Sequence, residues 1–296
     1  MMMAARENLL AAARERILVA EGGMGTMLAR LGVRVTNTAE ANVTHPEIVA
    51  QVHREYLEAG AEVFQTNTFG ANLPALERAG LADRAVEMQV EAVRILREVV
   101  GDKGWIAADL GPTGELIEPL GTTSMEQVVG VYRQQLEAMV PAGVDFVLGE
   151  TFESLEEAEA AARAARAVAP ELPLAITMSF SLPNGRTSMG VTGAQAAERL
   201  AELGVDIIGA NCGHPEGTLI ALGEMSETAG DRILMAQANA GVPVLRGGET
   251  IFEGTPQWSG EMAARLMEMG VRILGGCCGT TPEHIRQIAR AAKASV

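Results

Sequence analysis

The sequence alternates short apolar runs with longer stretches that have helical spacing. Each run is rich in β-branched or apolar residues and is followed by a turn and an Ala/Glu/Arg-rich stretch. This order is typical of parallel strands joined by crossover helices. Eight strands are predicted, at Ile17–Ala20, Glu62–Thr66, Ile106–Leu110, Phe146–Glu150, Leu174–Phe180, Ile207–Cys212, Ile233–Asn239 and Ile273–Cys277.

Eight helices are predicted between and after these strands. They lie at Pro46–Ala59, Leu76–Val99, Met125–Val140, Leu155–Val168, Gly193–Leu203, Thr218–Thr228, Gly260–Met269 and Pro282–Lys293. Successive strands are about 26 to 45 residues apart, close to what one strand–helix–strand unit needs. No Pro/Gly/Ser-rich linker or charge block divides the series. We therefore expect a single (β/α)8 TIM-type barrel domain over residues 1–296, with residues 1–14 as a peripheral N-terminal helix.

The competing α/β architecture is an open, doubly wound sheet. Such a fold is expected to carry a glycine-rich dinucleotide-binding turn after its first strand. Residues 21–26 read Glu-Gly-Gly-Met-Gly-Thr, which is rich in glycine but is not G-x-G-x-x-G. The barrel is therefore favoured.

Composition and charge exclude several classes of protein. With 48% hydrophobic and 21% charged residues, the chain can bury a large core, which excludes a disordered protein or a small disulfide-stapled scaffold. The net charge of −15 opposes binding to nucleic acid or to anionic membranes. Apolar runs are too short for a membrane-spanning helix, and the N-terminus is unlike a secretory signal. We expect a cytoplasmic protein.

Polar side chains follow most of the predicted strands. In an eight-stranded barrel the reactive groups lie where strands end at their carboxyl side. The polar residues at or just after these ends are Glu21, Asn67, Asp109, Glu150, Ser179, Asn211, Cys212, Asn239, Cys277 and Cys278. All three cysteines of the chain are among them, which makes this end of the barrel the predicted site.

Cys212 lies 65 positions before the adjacent pair Cys277 and Cys278, far outside the spacing of zinc fingers. A barrel can nevertheless bring distant strand ends to one mouth. Three thiolates are a complete set of protein ligands for a catalytic zinc with an open fourth position. A disulfide between adjacent cysteines would be badly strained. The alternative is that each free cysteine packs as a small buried hydrophobic residue.

A zinc ion on three thiolates activates water weakly and prefers a soft ligand such as a thiol. Coordination would remove the thiol proton near neutral pH and leave a nucleophilic sulfur in place. The three cysteines therefore predict a thiol substrate whose sulfur attacks an electrophilic carbon.

The segment Gly-Gly-Cys-Cys-Gly-Thr-Thr-Pro at residues 275–282, together with Asn-Cys-Gly at 211–213, resembles the homocysteine S-methyltransferase family. The resemblance extends to residues 21–26 and to Thr-Asn-Thr-Phe-Gly-Ala-Asn at 66–72, so it covers nearly the whole chain. It implies a (β/α)8 barrel that transfers a methyl group to homocysteine to give methionine. It also implies that Cys212, Cys277 and Cys278 hold Zn²⁺ and that the substrate sulfur takes the open position.

The resemblance assigns substrate contacts by position. Glu150 matches the family glutamate that holds the substrate ammonium. Glu21 stands where the family usually has Asp, one methylene shorter. The backbone N–H groups of Gly22, Gly23 and Met24 are expected to meet the substrate carboxylate.

Each assignment has a structural alternative. Glu150 could cap the following helix, and Glu21 could be a solvated loop carboxylate. The asparagines Asn67, Asn211 and Asn239 are expected to fix loops rather than touch substrate. Asp109 could assist the methyl donor or shape the turn, and Ser179 is a further possible contact. Gln65 stands where many members carry Glu, and His45, His53 and His284 are expected on the surface.

Family members use betaine, S-methylmethionine, S-adenosylmethionine or a methylated cobalamin as donor. A quaternary ammonium or sulfonium favours an aromatic cage, and the candidates near the mouth are few. They are Phe69, Phe152, Phe180, Phe252 and Trp258. Residues 237–243 are similar to a segment of the homocysteine-binding module of cobalamin-dependent methionine synthases. No D-x-H-x-x-G motif for a corrinoid ligand is present.

We therefore expect either a separate methylcobalamin-bearing protein or a small sulfonium compound such as S-methylmethionine as the donor. A second interpretation is a methyltransferase that demethylates another compound toward a separate corrinoid protein. A third, from another class, is a non-catalytic barrel stapled by zinc.

Overall fold

The computed structural model describes residues 8–247 and 249–294. Eight of its strands run parallel in one sheet. In chain order they are β1 (Leu18–Val19), β2 (Val63–Gln65), β3 (Trp105–Leu110), β4 (Phe146–Phe152), β5 (Leu174–Met178), β6 (Ile207–Asn211), β7 (Ile233–Ala238) and, after an antiparallel hairpin of β8 (Pro243–Arg246) and β9 (Glu249–Phe252), β10 (Val271–Gly276). The hairpin was not predicted from the sequence.

The sheet closes on itself between its first two strands. The strand order is β1-β10-β7-β6-β5-β4-β3-β2, and every pair along it is parallel. The two end strands meet through a bridge between Ala20 and Val63, where the N–H of Glu21 donates to the carbonyl of Val63 at 2.9 Å. The predicted (β/α)8 barrel is therefore confirmed, with a short seam between β1 and β2.

Helices surround the barrel. They are α1 (Leu9–Glu15), α2 (Met24–Arg30), α3 (Ala41–Thr44), α4 (Pro46–Ala59), α5 (Leu73–Ala79), α6 (Ala85–Val100), α7 (Met125–Met139), α8 (Leu155–Val168), α9 (Gly193–Glu202), α10 (Pro215–Thr228), α11 (Pro256–Glu268) and α12 (Pro282–Ala294). Within the described residues, no helix is both long enough and apolar enough to cross a membrane.

The prediction of one continuous helix over Leu76–Val99 is wrong. Gly80 takes a left-handed conformation with φ of 71° and ends α5, and α6 starts only at Ala85. Glycine adopts this conformation without the steric cost that a Cβ imposes. The helices predicted to begin at Thr218 and Gly260 begin earlier, at Pro215 and Pro256, because proline is well suited to the first helical turn.

Side chains alternate between the barrel interior and the surrounding helices. On β3, Trp105 and Ala107 belong to the interior cluster, whereas Ile106 and Ala108 pack under the helices. The same alternation carries Asp109 into the interior at the carboxyl end. Helix α1 closes the opposite end, because its Leu9 side chain joins the interior cluster. The open carboxyl end is therefore the accessible mouth of the barrel.

Candidate functional site

A cavity of about 280 Å³ opens at the carboxyl end of the strands. Its walls come from nearly all sides of the barrel and from the start of α2. The lining residues are Glu21, Gly22, Gly23, Met24, Gly25, Thr26, Thr38, Gln65, Thr66, Asn67, Phe69, Asp109, Glu150, Thr151, Cys212, Gln237, Gly276, Cys277 and Cys278. This cavity is the candidate site.

The three cysteines converge on one wall of the cavity. Cys212 follows β6 and the adjacent pair follows β10, with β7 between them. The Sγ atoms of Cys212 and Cys278 are 3.7 Å apart, and all three Sγ atoms lie within 4.8 Å of one another. Cys212 takes a left-handed φ of 55°, an uncommon conformation for a residue with a side chain. The three sulfurs are thus placed as one group that could hold a metal ion.

Asn239, at the end of β7, ties the two cysteine loops together. Its Nδ2 donates to the carbonyl oxygens of Cys212 at 2.9 Å and Gly213 at 3.3 Å. Its Oδ1 accepts from the N–H of Cys278 at 3.0 Å. The expectation that Asn239 fixes loops agrees with these contacts, and the loops that it fixes carry the sulfurs.

Two residues that the sequence did not single out connect the cysteine loop to the start of α2. Thr280 Oγ1 donates to the carbonyl of Cys277 at 2.7 Å and accepts the N–H of Gly23 at 3.0 Å. Thr26 Oγ1 accepts the N–H of Gly279 at 3.2 Å. A Cβ on Gly23 would lie 2.5 Å from the Cys277 carbonyl oxygen, which explains why glycine is needed there.

Without a cation nearby, the three cysteines do not all ionise easily, because their thiols influence one another's pKa. Hydrogen bonds from Cys212 and Cys277 lower the pKa of Cys278 to about 3. Hydrogen bonds to Cys212 and Cys278, with burial, raise the pKa of Cys277 well above its ordinary value. One thiolate therefore forms readily, and the next can form only if a positive charge enters the group.

Glu150 projects into the cavity from β4 and is held by Asn211 of β6. Asn211 Nδ2 donates to Glu150 Oε2 at 2.6 Å. Burial, and then the charges of Cys278 and Glu21, raise the pKa of Glu150 to about 8, although a hydrogen bond from Gln65 opposes this shift. Ser154 caps α8 instead, because its side chain accepts from the N–H of Glu157.

Asn211 also fixes the residue that follows Glu150. Its Oδ1 accepts from the N–H of Thr151 at 2.8 Å, and its Nδ2 donates to Thr151 Oγ1 at 2.7 Å. Thr151 has a left-handed φ of 66°, a strained conformation for a β-branched residue. The strained conformation is held by these two contacts, and it lies within β4 where the register against β5 shifts between Gly149 and Phe152.

Glu21 lines the cavity, but both of its carboxylate oxygens have protein partners. Oε2 lies 2.8 Å from Nδ1 of His53, and Oε1 accepts from the N–H of Gln65 at 2.8 Å. Glu21 is therefore buried rather than a solvated loop residue. The surface positions expected for His53 and His284 are wrong, because His53 is fully buried on α4 and His284 is buried on α12. The Nε2 atom of His53 is buried without a hydrogen-bond partner.

Gln65 and Gln237 join opposite parts of the interior. Gln237 Nε2 donates to Gln65 Oε1 at 2.6 Å. Since Gln65 uses its oxygen for this bond, its amide nitrogen is the group left to lower the pKa of Glu150. Gln237 therefore orients the amide of Gln65.

Asp109 lines the cavity with a buried side chain. Its Oδ1 atom is buried without a hydrogen-bond partner, and the residue is 2% exposed. Burial, and then the charges of Glu150 and Glu21, raise its pKa well above the ordinary value. A buried polar atom without a partner calls for an explanation, and a ligand is one.

The remaining predicted contacts have structural partners or lie away from the cavity. Asn67 donates to the Thr38 carbonyl at 2.8 Å and to Asn42 Oδ1 at 2.9 Å, so it fixes loops although it lines the cavity. Ser179 is buried and is absent from the cavity wall. Of the aromatic residues considered for a cage, Phe69 alone lines the cavity, and Phe152 and Phe180 are fully buried elsewhere.

A second cavity, of about 400 Å³, lies beside the first at the rim. It is formed by the loops after β3, β4 and β5, and it shares Thr151 with the cysteine-lined cavity. Three of its apolar side chains, Leu116, Leu120 and Met189, are exposed. The rim of the barrel therefore offers an apolar surface next to the candidate site.

The site and the barrel together define a class of methyltransferases. Residues 18–292 match the family model "Homocysteine S-methyltransferase". Because this match covers most of the chain, the chain belongs to the homocysteine S-methyltransferase family, a family of methyl-transferring enzymes.

The relatives with curated names agree with this family. The chain is 32% identical over 303 residues to methionine synthase of Mycobacterium leprae, covering 96% of this chain and 25% of that protein. It is 34% identical over 296 residues to betaine–homocysteine S-methyltransferase 1 of Bos taurus, covering 92% of this chain and 71% of that protein. The chain thus spans a quarter of the length of the methionine synthase it matches.

Among solved structures, the chain is similar to the homocysteine methyltransferase MmuM from Escherichia coli in its oxidized form. The TM-score is 0.79 at 25% identity, over 98% of this chain and 100% of that one. This likeness agrees with the barrel described above.

Proposed function

We propose that this protein transfers a methyl group to the thiol of L-homocysteine, giving methionine, with Zn²⁺ held by Cys212, Cys277 and Cys278. The observation that carries the proposal is the convergence of three sulfurs on the wall of an open cavity. Membership of the homocysteine S-methyltransferase family supports the acceptor.

The donor set fits zinc. With Zn–S bonds of about 2.3 Å, two sulfurs of a tetrahedral site lie about 3.8 Å apart. The Cys212 and Cys278 sulfurs, at 3.7 Å, already have that spacing. A divalent cation would also favour the thiolate form of Cys277, whose pKa is kept high by hydrogen bonds with Cys212 and Cys278 and by burial. When bound, zinc would supply a Lewis acid that favours the thiolate form of the substrate.

The protein's own residues would hold the rest of the substrate. Glu150 would accept from the amino group, since Asn211 and Gln65 already fix its carboxyl toward the cavity. In the segment Gly22–Gly23–Met24, the backbone N–H groups of Gly22 and Met24 would meet the carboxylate, because that of Gly23 already donates to Thr280. Holding the substrate at both ends aligns its sulfur for an in-line displacement.

We propose a methylated corrinoid on a separate domain or protein as the donor. The apolar rim cavity supports this choice, since it provides a surface beside the site where a partner could seat. The single aromatic residue in the described cavity wall is a poor cage for a quaternary ammonium donor. A small sulfonium donor such as S-methylmethionine is the competing choice.

One experiment tests the proposal. Zinc-loaded protein is incubated with homocysteine and, in separate reactions, with methylcobalamin, S-methylmethionine, S-adenosylmethionine or betaine, and methionine is measured. We expect methionine with methylcobalamin. Turnover with S-methylmethionine alone would exclude an obligatory corrinoid. Absence of methionine with every donor, in protein shown to contain zinc, would contradict the proposed function.

Mild chelation separates catalysis from the alternative of a zinc-stapled barrel. A catalytic site should lose activity while the far-ultraviolet circular dichroism is retained, and it should regain activity with added zinc. Unfolding that runs in step with zinc loss would favour the staple.

A further inference from the structure

The amino group of an amino-acid substrate is a cation with three N–H donors, so one carboxyl does not satisfy it. Sequence position suggests Glu21 as the second carboxyl beside Glu150. However, Glu21 already accepts from the Gln65 N–H and contacts His53 Nδ1, both at 2.8 Å. These contacts join β1, β2 and α4 at the seam where the barrel closes.

Asp109 has an oxygen with no partner, whereas each oxygen of Glu21 already has one. It lines the same cavity, and its Oδ1 is buried without a partner. Its backbone is fixed on two sides, because its N–H donates to Thr66 Oγ1 at 3.0 Å and its carbonyl accepts from Thr68 Oγ1 at 2.7 Å. The unsatisfied oxygen therefore belongs to a residue held firmly in place.

Asp109 also lies beside Glu150. Strands β3 and β4 are neighbours, with Asp109 paired to Leu148 and Leu110 paired to Gly149. Leu148 is an interior residue, and Glu150 is the next interior position toward the mouth. Two carboxyls on adjacent strands thus face one space in the cavity.

The charges of this pair fit a cationic ligand. Burial raises the pKa of both carboxyls, and the charge of Glu150 raises the pKa of Asp109 further. A cation placed between them would let both ionise. Among the described residues, the cavity wall contains no Lys or Arg that could serve this purpose.

We propose that Asp109 binds the amino group of the substrate together with Glu150. Glu21 instead links β1 to β2 and α4 where the barrel closes. The inference rests on the proposed function, because it takes homocysteine as the acceptor. It assigns to Asp109 the recognition of an α-amino thiol over a thiol acid without an amino group.

The test compares homocysteine with 4-mercaptobutanoate, which is homocysteine without its amino group. Dissociation constants of both thiols are measured by calorimetry on zinc-loaded wild-type protein, Asp109→Asn and Glu21→Gln. Both variants make the same acid-to-amide change on a cavity carboxyl, so each is the matched control of the other. The ratio of the two dissociation constants isolates the contribution of the amino group.

We expect wild-type protein to prefer homocysteine, Asp109→Asn to lose at least about tenfold of that preference, and Glu21→Gln to change it by less than about threefold. The proposal is overturned if Asp109→Asn keeps the wild-type ratio, or if Glu21→Gln is the variant that loses it. Binding of neither thiol contradicts the proposed function as well, whereas binding of both with an unchanged ratio contradicts this inference alone.

A crystal structure of the wild-type complex provides a second measurement that does not depend on a variant's folding. We expect the homocysteine nitrogen about 3 Å from a carboxyl oxygen of Asp109. A nitrogen placed against Glu21 and away from Asp109 would overturn the proposal.

Discussion

The contacts of Asn239 predict a large effect on metal affinity from a residue that does not touch the metal. Asn239→Ala removes three hydrogen bonds, two to the Cys212–Gly213 backbone and one from the Cys278 N–H. At about 1 kcal/mol each, their loss should lower the free energy of unfolding by about 2–3 kcal/mol. Because both cysteine loops are released, we also expect the zinc dissociation constant to rise about 10- to 100-fold.

Asn72→Ala is the matched control for Asn239→Ala. Asn72 is fully buried and also makes three hydrogen bonds, to the Gly111 and Pro112 carbonyls and from the Ala75 N–H. It contacts neither cysteine loop. The control should therefore lose a similar amount of stability and keep its zinc affinity.

Urea unfolding and competition with a chromogenic chelator measure the two quantities. If Asn239→Ala loses stability as Asn72→Ala does but binds zinc as tightly as wild type, then Asn239 does not organise the cysteine loops and the reasoning is wrong.

Three further predictions follow from the same site. Cys277→Ala should abolish zinc binding and methyl transfer and keep a wild-type circular dichroism spectrum; full activity in this variant would contradict the assignment. His53→Ala should lower the free energy of unfolding by about 1–3 kcal/mol, because it leaves a buried oxygen of Glu21 without its side-chain hydrogen-bond partner. The double variant His53→Ala/Glu21→Gln should recover part of this loss. If the two changes in the free energy of unfolding, measured in urea, are strictly additive, His53 and Glu21 do not interact. Since burial raises the pKa of Glu150 to about 8, the folded, metal-free protein holds this proton more tightly than the unfolded chain. Its stability should therefore fall as pH rises from about 4.5 to 8, with a shallower fall in Glu150→Gln; equal slopes would contradict the raised pKa.

The sequence predicted the barrel well because each strand is a short apolar run followed by a polar or glycine-rich end. It failed at Gly80 because the apolar spacing continues across this glycine, and only the backbone shows that Gly80 ends the helix. The division of one predicted helix into α5 and α6, and the β8–β9 hairpin, depend on such local backbone conformations rather than on the hydrophobic pattern.

Within the site, residue type identified the cysteines and the acidic side chains, since few residue types perform thiolate or carboxylate chemistry. It did not show which carboxyls have partners. The burial of His53 did have a signal in the sequence, because Val49, Val52, His53 and Tyr56 follow the spacing of one helix face. The partner of His53 on that face, Glu21, is 32 residues away in the chain, and no local pattern could have paired them.

Because Cys277 and Cys278 are adjacent, the exact number of residues at the end of β10 decides whether both sulfurs face the cavity. In a continuing strand, neighbouring side chains point to opposite faces, so only one of two consecutive sulfurs could face the cavity. Here the N–H of Cys277 still donates to the Ala238 carbonyl at 2.9 Å, and the chain then turns through Gly279 at φ of 79°. Inserting a single residue between Gly276 and Cys277, or deleting Gly276, would exchange inward and outward positions. Such length changes should be tolerated in the rim loops and not at this point of the chain.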